Sequence, residues 1–320
     1  MCGRNEKDRL LEEKIKERMN DMPELMRRYF NSIWIKKTAN TKYAYLTYLV
    51  HFNNFLNEHN INIISVKPMD IDDYISEAII DKNGNTNGFQ VINARLSAII
   101  SFYDFLVENQ VINNNPCSKN KKLKVEKKDE VTYLTPEEIT KVKWFISKGI
   151  NRYKKYIDRD IAIFDLGCTT GLRVSAIINI DMEDIDFENK SIMVIEKGKK
   201  KREIYFGKNT EESLKKWIDT RSRIVDESVK PLFINKLKTR MSAEAVGEML
   251  KAAVKEAGIN KKITPHKMRS TCGMNLYGKT GDIYLTQSVL GHENINNTKI
   301  YVKATEEQRK RAADILDDLS

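Results

Sequence analysis

A lysine-rich segment in the middle of the chain divides it into two parts that must fold separately. Residues 113–130, NNNPCSKNKKLKVEKKDE, contain six lysines and one proline but few apolar side chains. Such a stretch cannot cross a hydrophobic core, and its composition is typical of a solvated tether. It could also lie along a phosphate backbone, because each neutralised phosphate releases counterions. We therefore expect a basic linker between two domains, and 320 residues are enough for both.

The part before the linker has the apolar spacing of amphipathic helices. It predicts an all-α domain over 22–112, preceded by a charged N-terminal extension, 1–21. The residues DKNGNTNG, 81–88, are expected to form a loop. The predicted helices lie at 5–19, 23–38, 39–61, about 68–80 and 89–110.

The part after the linker, 131–320, changes its periodicity once. From about residue 183, apolar and polar residues alternate through DIDFENKSIMVIEKGKKKREIYF, with turns at ENKS and GKKK. This predicts a small three-stranded antiparallel sheet in a mostly helical α+β domain. A parallel sheet around a dinucleotide is not expected, since GxGxxG does not occur. The predicted helices lie at 135–148, 158–169, 173–179, 210–225, 242–257, 265–277, 282–290 and 305–317.

The composition indicates which kind of partner the protein binds and in which compartment it works. A net charge of +10 and a pI near 9.2 favour a polyanion, either nucleic acid or an acidic membrane surface. No apolar run is long enough to span a bilayer, and the charged N-terminus lacks the apolar stretch of a signal peptide, so we expect a cytoplasmic protein without a membrane partner. The cysteines form no CxxC pair, which predicts neither a zinc site nor a disulfide framework. They are Cys2, Cys117, Cys168 and Cys272.

Four short segments contain residues suited to phosphate chemistry. Two histidines, two arginines, a lysine and a tyrosine occur in them, although the whole chain has only four histidines. Within one motif, His266 and Arg269 are three positions apart and share a helix face. The six residues are Arg173 in TTGLRVSAI, Lys197 in VIEKGKKKREIYF, His266 and Arg269 in TPHKMRSTCG, and His292 and Tyr301 in LGHENINNTKIYVK.

This order of motifs resembles the tyrosine recombinase, or phage integrase, family. The family pattern is an arginine in TGLR, a lysine in a β-hairpin, an HxxR box, an LGH box and then a tyrosine, and all five occur here in that order. Each motif alone is weak, but the ordered set is specific. The resemblance covers about 22–320 and is to Xer-like recombinases or integrases of mobile elements. It implies a helical, SAM-like core-binding domain followed by an α+β catalytic domain.

The resemblance implies a role for each residue. Arg173 and Arg269 would bind the scissile phosphate, because guanidiniums stay charged and form paired hydrogen bonds with its oxygens. His292 would donate a further hydrogen bond. Tyr301 would attack the phosphorus while His266 accepts its proton, since a phenol with a pKa near ~10 is a poor nucleophile unaided. The alternative for His266 is a group that only caps its helix or contacts the phosphate.

The leaving group and the energetics complete the implied reaction. Lys197 would protonate the departing 5′-oxygen as a general acid, although Lys199, Lys200 and Lys201 share its turn. Attack would leave a 3′-phosphotyrosine and a free 5′-hydroxyl. One phosphoester replaces another at similar energy, so the resemblance implies that ATP, metal ions and other cofactors are not required.

The resemblance also implies how the protein meets its partner. The two domains would clamp double-stranded DNA at an inverted-repeat core site, and four copies would assemble on two duplexes. The tail, 304–320, carries an apolar stripe that would dock on a neighbouring protomer or on its own domain. Three positions after Arg173, where the family usually has a carboxylate, this chain has Ala176.

Two other functions remain open from the sequence. A type IB topoisomerase uses a similar active site, but it would relax supercoiled DNA without a specific site. A catalytically silent DNA-binding protein could use the same fold, although the complete set of active-site residue types argues against it.

Overall fold

In the computed structural model the chain forms two compact units, residues 1–127 and 128–320. The structure describes most of the chain. The described residues are 2–79, 86–118, 123, 131–149, 154–195, 201–292, 294–295, 298–301, 313 and 317, excluding the side chains of 2–7 and 299.

The N-terminal unit is all-α, as the apolar spacing predicted. Aromatic rings fill its core, and Tyr29, Phe52 and Phe102 are fully or almost fully buried. Its helices begin where the local chemistry favours it: the Thr38 hydroxyl accepts the Thr41 N–H at 3.3 Å at the start of one helix. The helices are α1 (Cys2–Met19), α2 (Glu24–Ile33), α3 (Ala39–Glu58), α4 (Pro68–Ala78) and α5 (Phe89–Glu108).

Helix α1 packs into this unit. Ile15 and Met19 are buried in its core, and the buried Lys42 of α3 reaches Glu12 with Nζ 2.5 Å from Oε1. The segment predicted as a linker also begins against the unit, because Leu123 exchanges two hydrogen bonds with the side chain of Asn93, at 2.8 Å and 2.9 Å. The exact domain boundaries stay a prediction.

The C-terminal unit is helical around a small sheet, which confirms the predicted fold class. Three strands pair antiparallel in the order β1–β2–β3. The alternation places Ile192, Val194 and Ile204 in the core and leaves most side chains of the opposite face exposed to solvent. The elements are α6 (Pro136–Ser147), α7 (Ile157–Thr170), α8 (Val174–Ile178), β1 (Ile185–Asp186), β2 (Ser191–Ile195), β3 (Lys201–Tyr205), α9 (Lys208–Ser222), α10 (Ala243–Glu256), α11 (Pro265–Thr280) and α12 (Ile283–Leu290).

Helix α7 is central in this unit and packs closely on α11. A Cβ at Gly167 of α7 would lie 2.8 Å from the sulfur of Met268, so the absence of a side chain there permits the approach. This packing brings the end of α7 beside the first turns of α11. Two predicted segments cannot be compared: the turn containing Lys197, and the tail helix 305–317 apart from Ala313 and Asp317, lie outside the described residues. No helix in the described part of the chain is both long and apolar enough to cross a membrane.

Candidate active site

The first turns of α11 carry two of the predicted site residues. Pro265 occupies the first turn after the extended residue Thr264, a position where its missing N–H costs nothing. His266 and Arg269 follow on one face of the helix. Arg269 is 1% exposed, and its Nη1 donates to the Gly171 carbonyl at 2.8 Å. A buried cation is thereby fixed between α11 and the end of α7.

The turn after α7 places Arg173. Gly171 has a φ of +64°, and a Cβ there would lie 2.4 Å from Cδ2 of Leu290, so both backbone and packing demand glycine. Two residues later, Arg173 is the N-cap of α8 in an extended conformation and is exposed. Ala176 lies one turn into α8 and is buried, so the family's usual carboxylate position is filled here by an apolar contact.

His292 is held at the end of α12. Gly291 ends that helix with a φ of +61°, and the His292 N–H then donates to the Gln287 carbonyl at 3.1 Å. In return, Nε2 of Gln287 donates to the His292 carbonyl at 2.9 Å. The ring itself is oriented by the buried Thr298, whose Oγ1 lies 2.9 Å from Nδ1.

The electrostatics of this region favour neutral imidazoles. Desolvation, followed by the charges of Arg269, Arg173, His266 and Arg202, lowers the pKa of His292 to about 4. Desolvation also lowers the pKa of His266, with contributions from Arg269, Lys267 and Arg173. The field that suppresses a proton on these rings would attract an anion, which would in turn raise both pKa values.

Tyr301 lies against α11 rather than at the surface. It ends a short 3₁₀ turn, Lys299–Tyr301, and is 3% exposed. A Cβ at Gly273 would lie 2.8 Å from its Cε2, so glycine makes room for the ring. The ring is nearly parallel to that of His292, with centroids 6.4 Å apart. Desolvation raises the pKa of the Tyr301 phenol, opposed by a hydrogen bond with Ser270 and by the charge of Arg269.

The structure thus brings five of the six predicted residues to one region of the C-terminal unit, around the first half of α11. They are Arg173, His266, Arg269, His292 and Tyr301. The sixth, Lys197, lies outside the described residues, although β2 and β3 on either side of its turn pair as far as Ile195 and Lys201. Within the described residues, no group of three or more His, Cys, Asp or Glu side chains could hold a metal ion.

Sequence reasoning missed residues that orient this region. Arg202 donates from β3 to the last carbonyls of α12, and Thr298 holds the His292 ring. Arg202 directly follows Lys199, Lys200 and Lys201, so nothing in the sequence separates it from a solvated basic run. Thr298 stands in a polar stretch that has no periodicity. Neither residue gives a local signal, because each acts through a contact formed by the tertiary fold.

Comparison with known proteins assigns both units. The model of the "Phage integrase family" matches residues 133–308, and that of the "Phage integrase, N-terminal SAM-like domain" matches residues 26–110. The tyrosine recombinase XerC of Thermodesulfovibrio yellowstonii is 30% identical over 282 residues, which cover 85% of this chain and 89% of that protein.

Solved structures share the fold. The XerH site-specific recombinase, bound to a palindromic difH substrate in a post-cleavage complex, superposes with a TM-score of 0.77 at 19% identity, covering 97% of this chain and 90% of that one. The Tn1549 transposon integrase, in complex with circular intermediate DNA, gives a TM-score of 0.71 at 23% identity, covering 90% and 98%.

Proposed function

This chain belongs to the phage integrase family and is a site-specific DNA recombinase of the tyrosine type; from that premise we propose that Tyr301 is its nucleophile. The observation that carries the assignment is the packing of Tyr301 beside the helix of Arg269, with its ring parallel to that of His292. Its oxygen would attack the scissile phosphorus and form a 3′-phosphotyrosine, and a 5′-hydroxyl would leave.

Arg173, Arg269 and His292 form the phosphate site in this proposal. Two guanidiniums and an imidazole would donate hydrogen bonds to the oxygens on which charge accumulates in the pentavalent transition state. The bond from Arg269 to the Gly171 carbonyl holds that guanidinium before DNA arrives. Preorganised donors of this kind are each worth about 3–4 kcal/mol of barrier, because no reorganisation is needed during the reaction.

His266 and Lys197 would move the protons. A base must be neutral to accept the phenolic proton, and the lowered pKa of His266 satisfies this at pH 7. Lys197 would protonate the leaving 5′-oxygen, an assignment that rests on the sequence resemblance. Because the Tyr301 ring is 3% exposed, its hydroxyl must become accessible to DNA before attack. Exchange of one phosphoester for another conserves bond energy. The 5′-hydroxyl of a second strand would therefore attack the 3′-phosphotyrosine, release Tyr301 and join the two strands.

The partner is double-stranded DNA, in agreement with the net charge of +10. The DNA in the XerH and Tn1549 integrase structures supports the same partner. We further propose that the two units clamp an inverted-repeat core site, that four copies assemble on two duplexes, and that the tail 304–320 joins neighbouring copies. We also propose that the reaction takes place in the cytoplasm.

The test is capture of the covalent intermediate. Full-length protein is incubated with fragmented DNA containing random sequences, denatured with SDS and purified, and the attached DNA is sequenced. We expect an adduct on Tyr301 at one recurrent site. Adducts at unrelated sites, together with relaxation of any supercoiled plasmid, would instead support a topoisomerase. Absence of an adduct on every DNA tested would support a silent DNA-binding protein.

A further inference from the structure

Arg202 joins the sheet of the C-terminal unit to the end of α12. Its Nη1 donates to the Ser288 carbonyl at 3.0 Å and to the Val289 carbonyl at 3.1 Å. Carbonyls in the last turn of a helix have no partner within the helix, and the helix dipole favours a cation there. A strand residue therefore caps a helix that lies 86 positions later in the chain.

Arg202 also contacts Gly291, the first residue after α12. A Cβ at Gly291 would lie 2.7 Å from Nη1 and 2.8 Å from Cζ of Arg202, so the guanidinium packs directly on the Gly291 backbone. Gly291 also has a φ of +61°, which any other residue would adopt at a cost. Arg202 and Gly291 thus fit one another, and the residue that follows is His292.

The bonds to Arg202 constrain His292 in a way that its local contacts do not. Gln287 and Thr298 hold the histidine from positions close to it in sequence, so they would move with it if the whole segment shifted. Arg202 instead ties the segment to the sheet, whose position is fixed by the buried Val194 and Ile204.

We propose that Arg202 is a positioning residue for strand cleavage, which holds the end of α12 so that the His292 ring meets the scissile phosphate. This inference rests on the proposed function. Arg202 acts through the backbone at Ser288, Val289 and Gly291, whereas Arg173, Arg269 and His292 would contact the phosphate themselves. A displacement of about 1 Å at such a group can cost on the order of 100-fold in rate.

A double-mutant cycle measures whether Arg202 acts through His292. The cleavage rate is measured at saturating DNA, on the site recovered by covalent capture, for the wild type, Arg202→Ala, His292→Ala and the double variant. We expect Arg202→Ala to lose roughly 10- to 100-fold in the wild-type background. In the His292→Ala background we expect a further loss below about twofold, because the two residues serve one interaction. Arg202→Lys should retain part of the rate, since an ammonium can still donate to one carbonyl.

Arg240 provides the matched structural control. It also donates to backbone carbonyls of the C-terminal unit, at 2.9 Å to Ile178, but it is not part of the site. Any loss caused by Arg240→Ala should be the same factor with and without His292. If Arg202→Ala lowered the cleavage rate by the same factor in the wild type and in His292→Ala, Arg202 would have only a structural role, like Arg240. That result would overturn the proposal. A defect confined to DNA affinity, with a normal rate at saturation, would also overturn it by making Arg202 a DNA contact.

A second measurement does not need cleavage. The chain has four histidines, so the His292 ring signal in an NMR spectrum can be assigned by its loss in His292→Ala. Arg202→Ala should raise the pKa of His292, because one positive charge is removed and the ring gains access to water, while Arg269, Arg173 and His266 remain. Arg202→Lys should give a smaller change, and Arg240→Ala none. An unchanged pKa of His292 in a folded Arg202→Ala protein would overturn the inference. Failure of the wild-type protein to form a covalent adduct with DNA would overturn only the proposed function.

Discussion

The two units of the chain are stabilised in different ways. The N-terminal core is built from interlocking aromatic rings: Phe102 meets Tyr29 and Tyr103 with centroids 5.6 Å and 5.2 Å apart, each pair edge to face. The C-terminal unit also buries charged groups. Among the described residues these are Arg159, Asp160, Asp165, Arg221 and Arg269, whereas Lys42 is the one buried charged side chain described in the N-terminal unit.

The two kinds of core differ in how specific their contacts must be. A ring in an apolar core needs only neighbours of suitable size, but a buried guanidinium needs a particular acceptor, or its desolvation destabilises the fold. Arg159 has Asp160 and the Ile234 carbonyl, at 2.7 Å and 2.8 Å. Arg269 has Gly171 in the same way. One member of the proposed site, Arg269, belongs to this second kind of core and is already held in place.

The largest expected effect separates chemistry from folding in the C-terminal unit. Tyr301→Phe removes one oxygen from a ring that packs on Gly273, so the fold should persist while cleavage falls by on the order of 10⁴-fold or more. Binding of the recovered site should change by less than about twofold. Cleavage is measured as the SDS-stable adduct. Tyr277→Phe, in the same apolar cluster, is the control and should cleave normally. An adduct in Tyr301→Phe would show that the nucleophile is another residue.

A second substitution tests the apolar core of the other unit. Phe102 is fully buried, so Phe102→Ala should lower the free energy of unfolding by about 3–5 kcal/mol. The loss arises from removed contacts and from the cavity left behind. Urea unfolding with hydrogen exchange assigned to each unit measures it. Phe89→Ala, at a side chain 46% exposed, should change the stability by less than about 0.5 kcal/mol. Similar losses for both variants would contradict an aromatic core centred on Phe102.

Lys42 is the exception in the N-terminal unit and makes a third prediction. Its Nζ is 2.5 Å from Glu12 and lies 4.0 Å above the centre of the Trp34 ring. Glu12→Gln removes the counterion of a buried ammonium and should cost roughly 1–3 kcal/mol. Faster hydrogen exchange in α1 would locate the effect.

The control for this prediction is an exposed pair on the same helix. Glu13 lies 3.7 Å from Arg9, and Glu13→Gln should cost less than about 0.5 kcal/mol. Lys42→Met should cost less than Glu12→Gln, because an apolar side chain of similar size needs no counterion. Equal effects of the two glutamine variants would mean that the buried ion pair does not hold α1.

The same contrast explains what the sequence could predict. Local chemistry was sufficient for the helix predicted at 135–148: α6 starts at Pro136, where Thr135 and Glu138 exchange capping bonds at 2.9 Å and 3.3 Å. The alternation in DIDFENKSIMVIEKGKKKREIYF likewise predicted the three strands. The packing of α1 was not foreseen, because its largely charged sequence leaves only a few apolar positions, such as Ile15, to show a buried face.

Long-range contacts account for the rest of the site. The motifs predicted that Arg173, His266, Arg269, His292 and Tyr301 would act together, and the structure brings them into one region, while their roles stay proposals. Arg202 could not be chosen from its neighbouring lysines, because its acceptors at Ser288 and Val289 are specified by tertiary packing. The burial of Tyr301 depends on the missing side chain of Gly273 in another helix, which no local pattern reveals.

The smallest expected effect concerns pH and the C-terminal unit. The pKa of His292 falls from 6.5 to about 4 on folding. Between these values the unfolded chain binds a proton that the folded chain does not, so stability must fall as the pH is lowered from 6.5 toward 4. The ring is partly exposed to solvent, which reduces the contribution to roughly 1–2 kcal/mol.

Replacing His292 should remove its contribution to the pH dependence of the stability of the C-terminal unit. We expect the stability difference of the C-terminal unit between pH 7 and pH 4.5 to be about 1–2 kcal/mol smaller in His292→Gln than in the wild type. Urea unfolding at both pH values, with hydrogen exchange to separate the units, measures this. His59→Gln is the control, since His59 lies in the N-terminal unit beside Glu77 and should leave the C-terminal unit unchanged. An unaltered difference in His292→Gln would mean that the ring is protonated as readily in the folded protein as in the unfolded chain. Neither desolvation nor the charges of Arg269, Arg173 and Arg202 would then lower the pKa of His292, and the electrostatic argument for the proposed phosphate site would lose its support.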